Sequence, residues 1–274
     1  MAALNEFWKQ AWKRYVRLAP DAQRIHALLE RHGETQASLI NDHVAFRTFR
    51  LPGLGRHDLG KIFEAWGYRL SGDTLDFPEK KLQANYWIHP DPAQPKVFIS
   101  ELILDSFEKP LREWIEDLGD QARKRFPKLS ADIFLEPSWN PVRFEDYQTF
   151  YPKSEYAGWT GAFGIQVNHF TVFVNRLKTF PSLQELNGFL KAEGIKLNQA
   201  GGEVKGTPSE LLEQTSTEAQ RVACEFADGV QQSAMGCYYE FARRYTIPGS
   251  GELFHGFIPK SADKIFESNF EKKK

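Results

Sequence analysis

The 274-residue sequence predicts an α+β fold made of two βαβββ modules, curled into a barrel-like mixed sheet. Three observations carry that prediction. Apolar residues switch between helical and alternating periodicity in the order β-α-β-β-β, and the same order returns in the second half. Each copy opens its first strand with a histidine and carries a glutamate in its last: His43 with Glu101, and His169 with Glu240. Aromatic content is 14%, including 22 Phe, which suits a sheet-rich fold with large packed side chains.

Residues 1–35 read as a helical segment. Apolar positions recur at three-to-four spacing from Leu4 to Arg31, with Pro20-Asp21 as a start and Gly33 as a stop. Residues 36–106 form the first module. "NDHVAFRTFRL" is a strand and "GLGRHDLGKIFEAWGY" an amphipathic helix ending at Gly67. "YRLSG", "KLQANYWIH" and "KVFISELIL" are three more strands separated by turn residues. Residues 107–160 connect the modules. A charged helix runs from Phe107 to Lys128, and "LEPSWNPVRFEDYQTFYPKSEYAGWTG" follows. Its many aromatics and few Gly and Ser predict an ordered surface loop, not a flexible linker.

Residues 161–246 form the second module. "GIQVNHFTVFVN" is its first strand and "FPSLQELNGFLKAEG" its helix, ending at Gly194. "IKLNQAGG", "LEQTSTEAQRVACEF" and "GCYYEFARR" supply the other strands, and "GEVKGTPSELLEQTST" adds a hairpin that lengthens this copy. Gly201 and Gly202 set a turn. Residues 247–274 cap the sheet with a short helix, and all five segments are expected to form one compact structural domain.

Composition narrows the function classes. Apolar residues are 41% and charged residues 26%, with a net charge of −1 and a pI near 6.7. Nothing there favours nucleic acid or an anionic membrane surface. The tail Lys272, Lys273 and Lys274 reads as a solvated terminus. The N-terminal "MAALNEFWKQAWKRYV" lacks the apolar core of a signal peptide, and no stretch approaches a membrane span. Cys224 and Cys237 form no CxxC, so buried reduced thiols and a cytoplasmic location are expected. No GxGxxG or P-loop is present. A small-molecule partner remains the expectation.

The strand "NDHVAFRTF" then needs explaining, because unpaired polar groups are costly inside a strand. Alternation puts His43, Ala45, Arg47 and Phe49 on one face. Two His and a carboxylate with open coordination positions suit a divalent first-row metal, Fe(II) above all. Strands of a curled sheet turn alternate residues inward together. The repeat offers His43, Glu101, His169 and Glu240, and three suffice. Glu101 is the weaker acid, since "FISELILDSFEK" runs into a charged segment where it is expected to face solvent or pair with a cation. His26, His32, His57, His89 and His255 sit on helix faces, in loops or beside Pro. Lys205, Thr207, Gln214 and Ser216, in the second module's hairpin and third strand, are further candidates to line the site. Tyr238 and Tyr239 read as core aromatics.

"NDHVAFRTF", "VNHFTVFVN", "GGEVKGTP", "LLEQTSTEA", "GCYYEFARR" and "SADKIFESN" occur in this order from Asn41 to Asn269. Together they resemble the DUF1338 family of the vicinal oxygen chelate superfamily, that of the 2-oxoadipate dioxygenase/decarboxylases (hydroxyglutarate synthases). The resemblance implies one Fe(II) held by His43 of H-x-x-x-R, His169 of N-H-F and Glu240 of Y-Y-E-F. It implies that Arg47 contacts a substrate carboxylate, for which a planar guanidinium offers bidentate geometry. The implied reaction is O2-dependent decarboxylation and hydroxylation of 2-oxoadipate to 2-hydroxyglutarate and CO2, in lysine catabolism. The substrate would chelate the iron through its keto oxygen and adjacent carboxylate. This chain is shorter than the characterised enzyme, so the expected substrate widens to 2-oxoadipate or a close 2-oxo acid. Two other readings stay open on sequence alone: a metal-dependent isomerase or lyase on the same fold, and a non-catalytic ligand-binding protein.

Overall fold

The computed structural model describes residues 2–269; the tail Lys272, Lys273 and Lys274 lies outside them. Helix α1 (Ala2–Tyr15) buries Leu4, Phe7, Ala11 and Tyr15, a single stripe at helical spacing. Helix α2 (Pro20–Arg31) starts on a proline with a preset φ and has Asp21 in its first turn. Gly33 follows at φ +107°, a conformation that stops the helix at little cost for glycine.

The first module is β1 (Asn41–Phe49), α3 (Arg56–Glu64), β2 (Arg69–Phe77), β3 (Leu82–Ile88) and β4 (Lys96–Leu102). Three helices follow: α4 (Lys109–Arg125), α5 (Phe144–Phe150) and α6 (Glu155–Phe163). The second module is β5 (Val167–Phe173), α7 (Leu183–Ala192), β6 (Lys205–Thr207), β7 (Leu212–Ser216), β8 (Arg221–Glu225), β9 (Gln231–Met235) and β10 (Glu240–Arg244). Helix α8 (Pro259–Phe266) comes last.

Eight strands form one sheet in the order β2-β3-β4-β1-β5-β10-β7-β6. The order is a palindrome of the two modules. β1 and β5 lie antiparallel at the centre, and each pairs in parallel with the last strand of its own module. In the central pair Ala45 faces His169 and His43 faces Thr171, so an approximate twofold relates the two histidines.

Alternation sorts side chains onto two faces. Phe46 and Phe170 point outward, where Trp8 of α1 touches both rings. Trp12 and Tyr15 also pack on Phe170. His43 and Phe98 point inward and meet Phe257. Helix α8 lies across this inner side, packed on β2 at one edge and on β6 and β7 at the other. Lys80 ties it to the first module through Asp263, 3.0 Å away.

Three expectations need correction. The connector is not a surface loop: it folds into α5 and α6, and α6 buries Tyr156, Ala157, Trp159 and Thr160. "YAGWTGAF" is apolar almost all round, which removes the amphipathic period that marks a surface helix. "IKLNQAGG" contributes only an isolated bridge, Leu197 to Thr217. The positive φ of Gly201 and Gly202 turns the chain there, and the edge strand is β6 inside the expected hairpin. "RVACEF" leaves the sheet altogether, because β8 pairs with β9 in a separate hairpin. Phe226 at its end packs on Phe144 and Tyr147 of α5, apolar cover that the main sheet does not provide.

Candidate metal centre

β1, β5 and β10 bring His43, His169 and Glu240 together, with one ligand atom from each lying within 4.8 Å of the others. Glu240 Oε2 is 3.1 Å from His169 Nε2, and Glu240 Oε1 is 3.6 Å from His43 Nε2. The two imidazole rings stand nearly perpendicular, at 86°. All three side chains are buried, Glu240 completely.

Each histidine is held from behind by the residue before it. Asp42 Oδ1 is 2.7 Å from His43 Nδ1, and Asn168 Oδ1 is 3.1 Å from His169 Nδ1. An Nδ1–H donated to these oxygens turns the Nε2 lone pair forward, which is how metal-ligating histidines are oriented; at His43 that Nε2 lies 3.0 Å from Thr171 Oγ1. A register shift between Asn41 and His43 in the β1–β5 pairing lies where Asp42 meets its neighbour's ring. Glu240 has its own support, since Gln214 Nε2 donates to Oε1 at 2.6 Å.

The charges suit ligation. Burial pushes the His169 pKa down, and Glu240 only partly offsets that, so the ring is neutral. Burial alone would push Glu240 up, but the neighbouring His43 and His169, with the hydrogen bond from Gln214, hold its carboxyl below the usual value. Asp42 is likewise kept well below the carboxylate range against strong desolvation, by Arg244 and Lys96. Arg244 donates to it twice, at 2.6 and 2.9 Å. Burial depresses Lys96 to about 8. Glu240 Oε2 is buried without a hydrogen-bond partner. Two imidazoles and a carboxylate with an oxygen free of hydrogen bonds fit a divalent first-row metal.

The other expected site residues fare differently. Arg47 is buried and sandwiched over the rings of Tyr156 and Trp159. Its two terminal nitrogens donate to Glu155 at 2.9 Å and Asn269 at 3.0 Å, and its Nε is buried without a partner. Ser216 faces Glu240 across the β7–β10 pairing and bonds Ser268. Lys205 spends its ammonium on the backbone oxygens of Asn198 and Glu203, and burial lowers it to about 8. Thr207 is no site residue: it is exposed and accepts from the Glu210 N–H, capping a short 3-10 turn.

Glu101 is also excluded, because Arg50 and Arg56 hold it, with the Arg56 N–H donating at 2.8 Å. Its match to Glu240 fails on register. Thr171 lies opposite Glu240 in the second module, and the equivalent Ala45 lies opposite Phe98 in the first. Phe98 is therefore the counterpart of Glu240. The sequence reading passed over Asp42 and Asn168. Their signal was visible: an acceptor side chain directly precedes each site histidine. An open cleft of about 600 Å³ lined by Arg14, Arg125 and Trp139 contains none of the three proposed ligands.

Known proteins resemble this chain in sequence and fold. Residues 3–255 match the family model described as 2-oxoadipate dioxygenase/decarboxylase. The chain is 34% identical to the chloroplastic 2-oxoadipate dioxygenase/decarboxylase of Arabidopsis thaliana, over 94% of this chain and 75% of that protein. A crystal structure of a Shewanella frigidimarina protein is 41% identical and covers 93% of this chain and 97% of its own, with a TM-score of 0.84. The Oryza sativa hydroxyglutarate synthase, solved in complex with 2-oxoadipate, superposes with a TM-score of 0.88 at 31% identity, over 98% of this chain and 92% of that one. The chain belongs to the 2-oxoadipate dioxygenase/decarboxylase family.

Proposed function

We propose that this chain is a mononuclear Fe(II) enzyme that converts 2-oxoadipate, or a close 2-oxo acid, with O2 into 2-hydroxyglutarate and CO2. The observation carrying the proposal is the buried set of His43, His169 and Glu240 in a chain of this family. Fe(II) held there would supply open positions for the keto acid and O2, and the electrons that activate O2.

The chain's own residues do the rest. Asp42 and Asn168 fix the two rings with Nε2 forward, and Gln214 fixes the carboxylate. Helix α8 and Phe257 pack over the inner face, cover that would limit bulk water at the reacting groups. Arg47 supplies a permanent cation for the substrate's second carboxylate. Burial, the largest influence, works against its charge, but Glu155, Tyr238 and Tyr156 together outweigh it and keep the guanidinium protonated. Lys205, Gln214 and Ser216 complete the proposed wall; Gln214 Oε1 remains an unpaired acceptor.

Lysine catabolism is the proposed setting, in a reducing, cytoplasmic compartment, because both cysteines are free and buried. The Arabidopsis relative is named chloroplastic. Among the described residues no helix is long and apolar enough to cross a membrane.

Protein purified without oxygen, loaded with Fe(II) and given 2-oxoadipate should consume O2 and release CO2. Absence of consumption across a panel of 2-oxo acids would remove the proposal.

A further inference from the structure

The inner face carries more unpaired polar atoms than a metal accounts for. Among the described residues Arg47 Nε, Gln214 Oε1, Tyr238 OH and Glu240 Oε2 are all buried without a hydrogen-bond partner. Glu240 Oε2 has a use as a ligand. Arg47 Nε–H does not, because a cation needs lone pairs, and the Tyr238 O–H still carries a proton with no acceptor. Buried donors left without acceptors are rare enough in folded proteins that each calls for an explanation.

The two donors are neighbours in the same site. Tyr238 stacks on His169, with ring centroids 4.6 Å apart and planes 25° from parallel. It precedes Glu240 by two residues, so an extended backbone turns both side chains the same way. Tyr239 turns the other way and bonds His26 outside the sheet. The charges of Glu240, Arg47 and Glu155 all act on Tyr238. Its ring therefore touches a proposed metal ligand and lies within electrostatic reach of the guanidinium. Arg47 donates from its terminal nitrogens to Glu155 and Asn269, and Nε is its one nitrogen left without any partner.

We infer that Tyr238 O–H and Arg47 Nε–H together form the seat for the substrate's far carboxylate, and that Tyr238 is a residue that selects dicarboxylic over monocarboxylic 2-oxo acids. The inference rests on the function proposed above. Each carboxylate oxygen can accept from both donors, and such charge-assisted bonds are the stronger kind. A monocarboxylic acid of the same length would leave both donors unpaired, which is the way a polar site rejects an apolar analogue. Glu155 already neutralises one side of Arg47. The seat then leans on hydrogen bonding more than on net charge, and a neutral hydroxyl carries a larger share.

Tyr238→Phe tests this by removing one oxygen. Without ligand the variant should unfold at the parent's temperature or slightly above it, since the hydroxyl lost had no partner. Its metal content should match the parent's. Metal-loaded protein is then titrated without oxygen with 2-oxoadipate and with 2-oxohexanoate, which has the same chain length and no far carboxylate. The Kd for 2-oxoadipate should rise about tenfold or more, and that for 2-oxohexanoate by less than about twofold. Equal loss on both acids, no loss on 2-oxoadipate, or a fall in metal content would overturn the inference. If the parent protein does not bind 2-oxoadipate, the proposed function falls, and this inference with it.

Discussion

The two modules share a strand plan and differ in what they place on its inner face. The first contributes His43 on β1 and, at the equivalent of Glu240, the ring of Phe98. The second contributes both His169 and Glu240. The first carries Arg47 two residues beyond Ala45; the second has Phe173 two residues beyond Thr171. Even the supports differ: a charged Asp42 clamped by Arg244 behind His43, a neutral Asn168 bonded to Asn269 behind His169. The duplicated backbone thus decides where inward side chains can converge. Single residue identities decide that one half donates most of the proposed metal ligands while the other carries the buried Arg47.

The sharpest way to break this comparison is to move the carboxylate. Glu240→Ala should weaken metal binding by about 1,000-fold, beyond the 10- to 100-fold typical of losing an outer support. If the twofold relation holds, adding Phe98→Glu to that variant should recover about tenfold, because the new carboxylate approaches the same two histidines from the first module. Metal titration of the three proteins checks this. No recovery would mean that Phe257 or the backbone keeps the first module's position closed.

Removing the first module's cation is the next largest effect. Arg47→Ala leaves Glu155 buried without its ion-pair partner, a loss of about 3 kcal/mol in stability. Glu155→Gln in the same chain should restore part of it. Denaturant midpoints at constant slope measure both. An Arg47→Ala protein as stable as the parent would show that the sandwich between Tyr156, Trp159, Glu155 and Asn269 holds nothing together.

The supports come third. Asp42→Asn should lower metal affinity about 10- to 100-fold, since it discharges the partner of His43 and strands Arg244 and Lys96. Asn168→Ala should do less, because the bond it removes is longer and neutral. The reverse ranking, read by the same titration, would overturn the assignment of the charged support to the first module.

The centre was legible where the repeat made it so. His43 and His169 stood out because histidine recurs at matched strand positions and each strand can face only two ways; Glu240 was matched with Glu101, and the resemblance at Y-Y-E-F singled it out. Glu101 misled because matching short strings cannot fix a pairing register, and the hydrogen-bond ladder puts Phe98 where a glutamate was expected. Helix α6 was hidden by its own burial: a segment apolar on all sides has no face to read. The β8–β9 hairpin alternates like a sheet strand, and only the packing of Phe226 on α5 decides that it pairs elsewhere. Tyr238 was read as core because its ring is buried. That its hydroxyl has no partner is a property of the surroundings, beyond the reach of local sequence.

The smallest expected effect concerns the outer face of the second module. His26 of α2 packs on Trp12 and bonds the Tyr239 hydroxyl; burial pushes it down to about 4, while the unfolded ring titrates near the ordinary 6.5. Above that ordinary value both states are neutral and the group is silent. As pH falls through it the unfolded chain binds the proton first, so stability is lost until the folded pKa is reached. Between about pH 6.5 and 5.5 the loss should be about 1 kcal/mol. The first module's outer contacts, Trp8 and Phe7 on Phe63, contain no titrating group. His26→Gln keeps a polar partner for Tyr239 and should flatten the slope in that window without changing metal content. A slope unchanged in the variant would move the acid sensitivity off the second module's outer face and onto some other group.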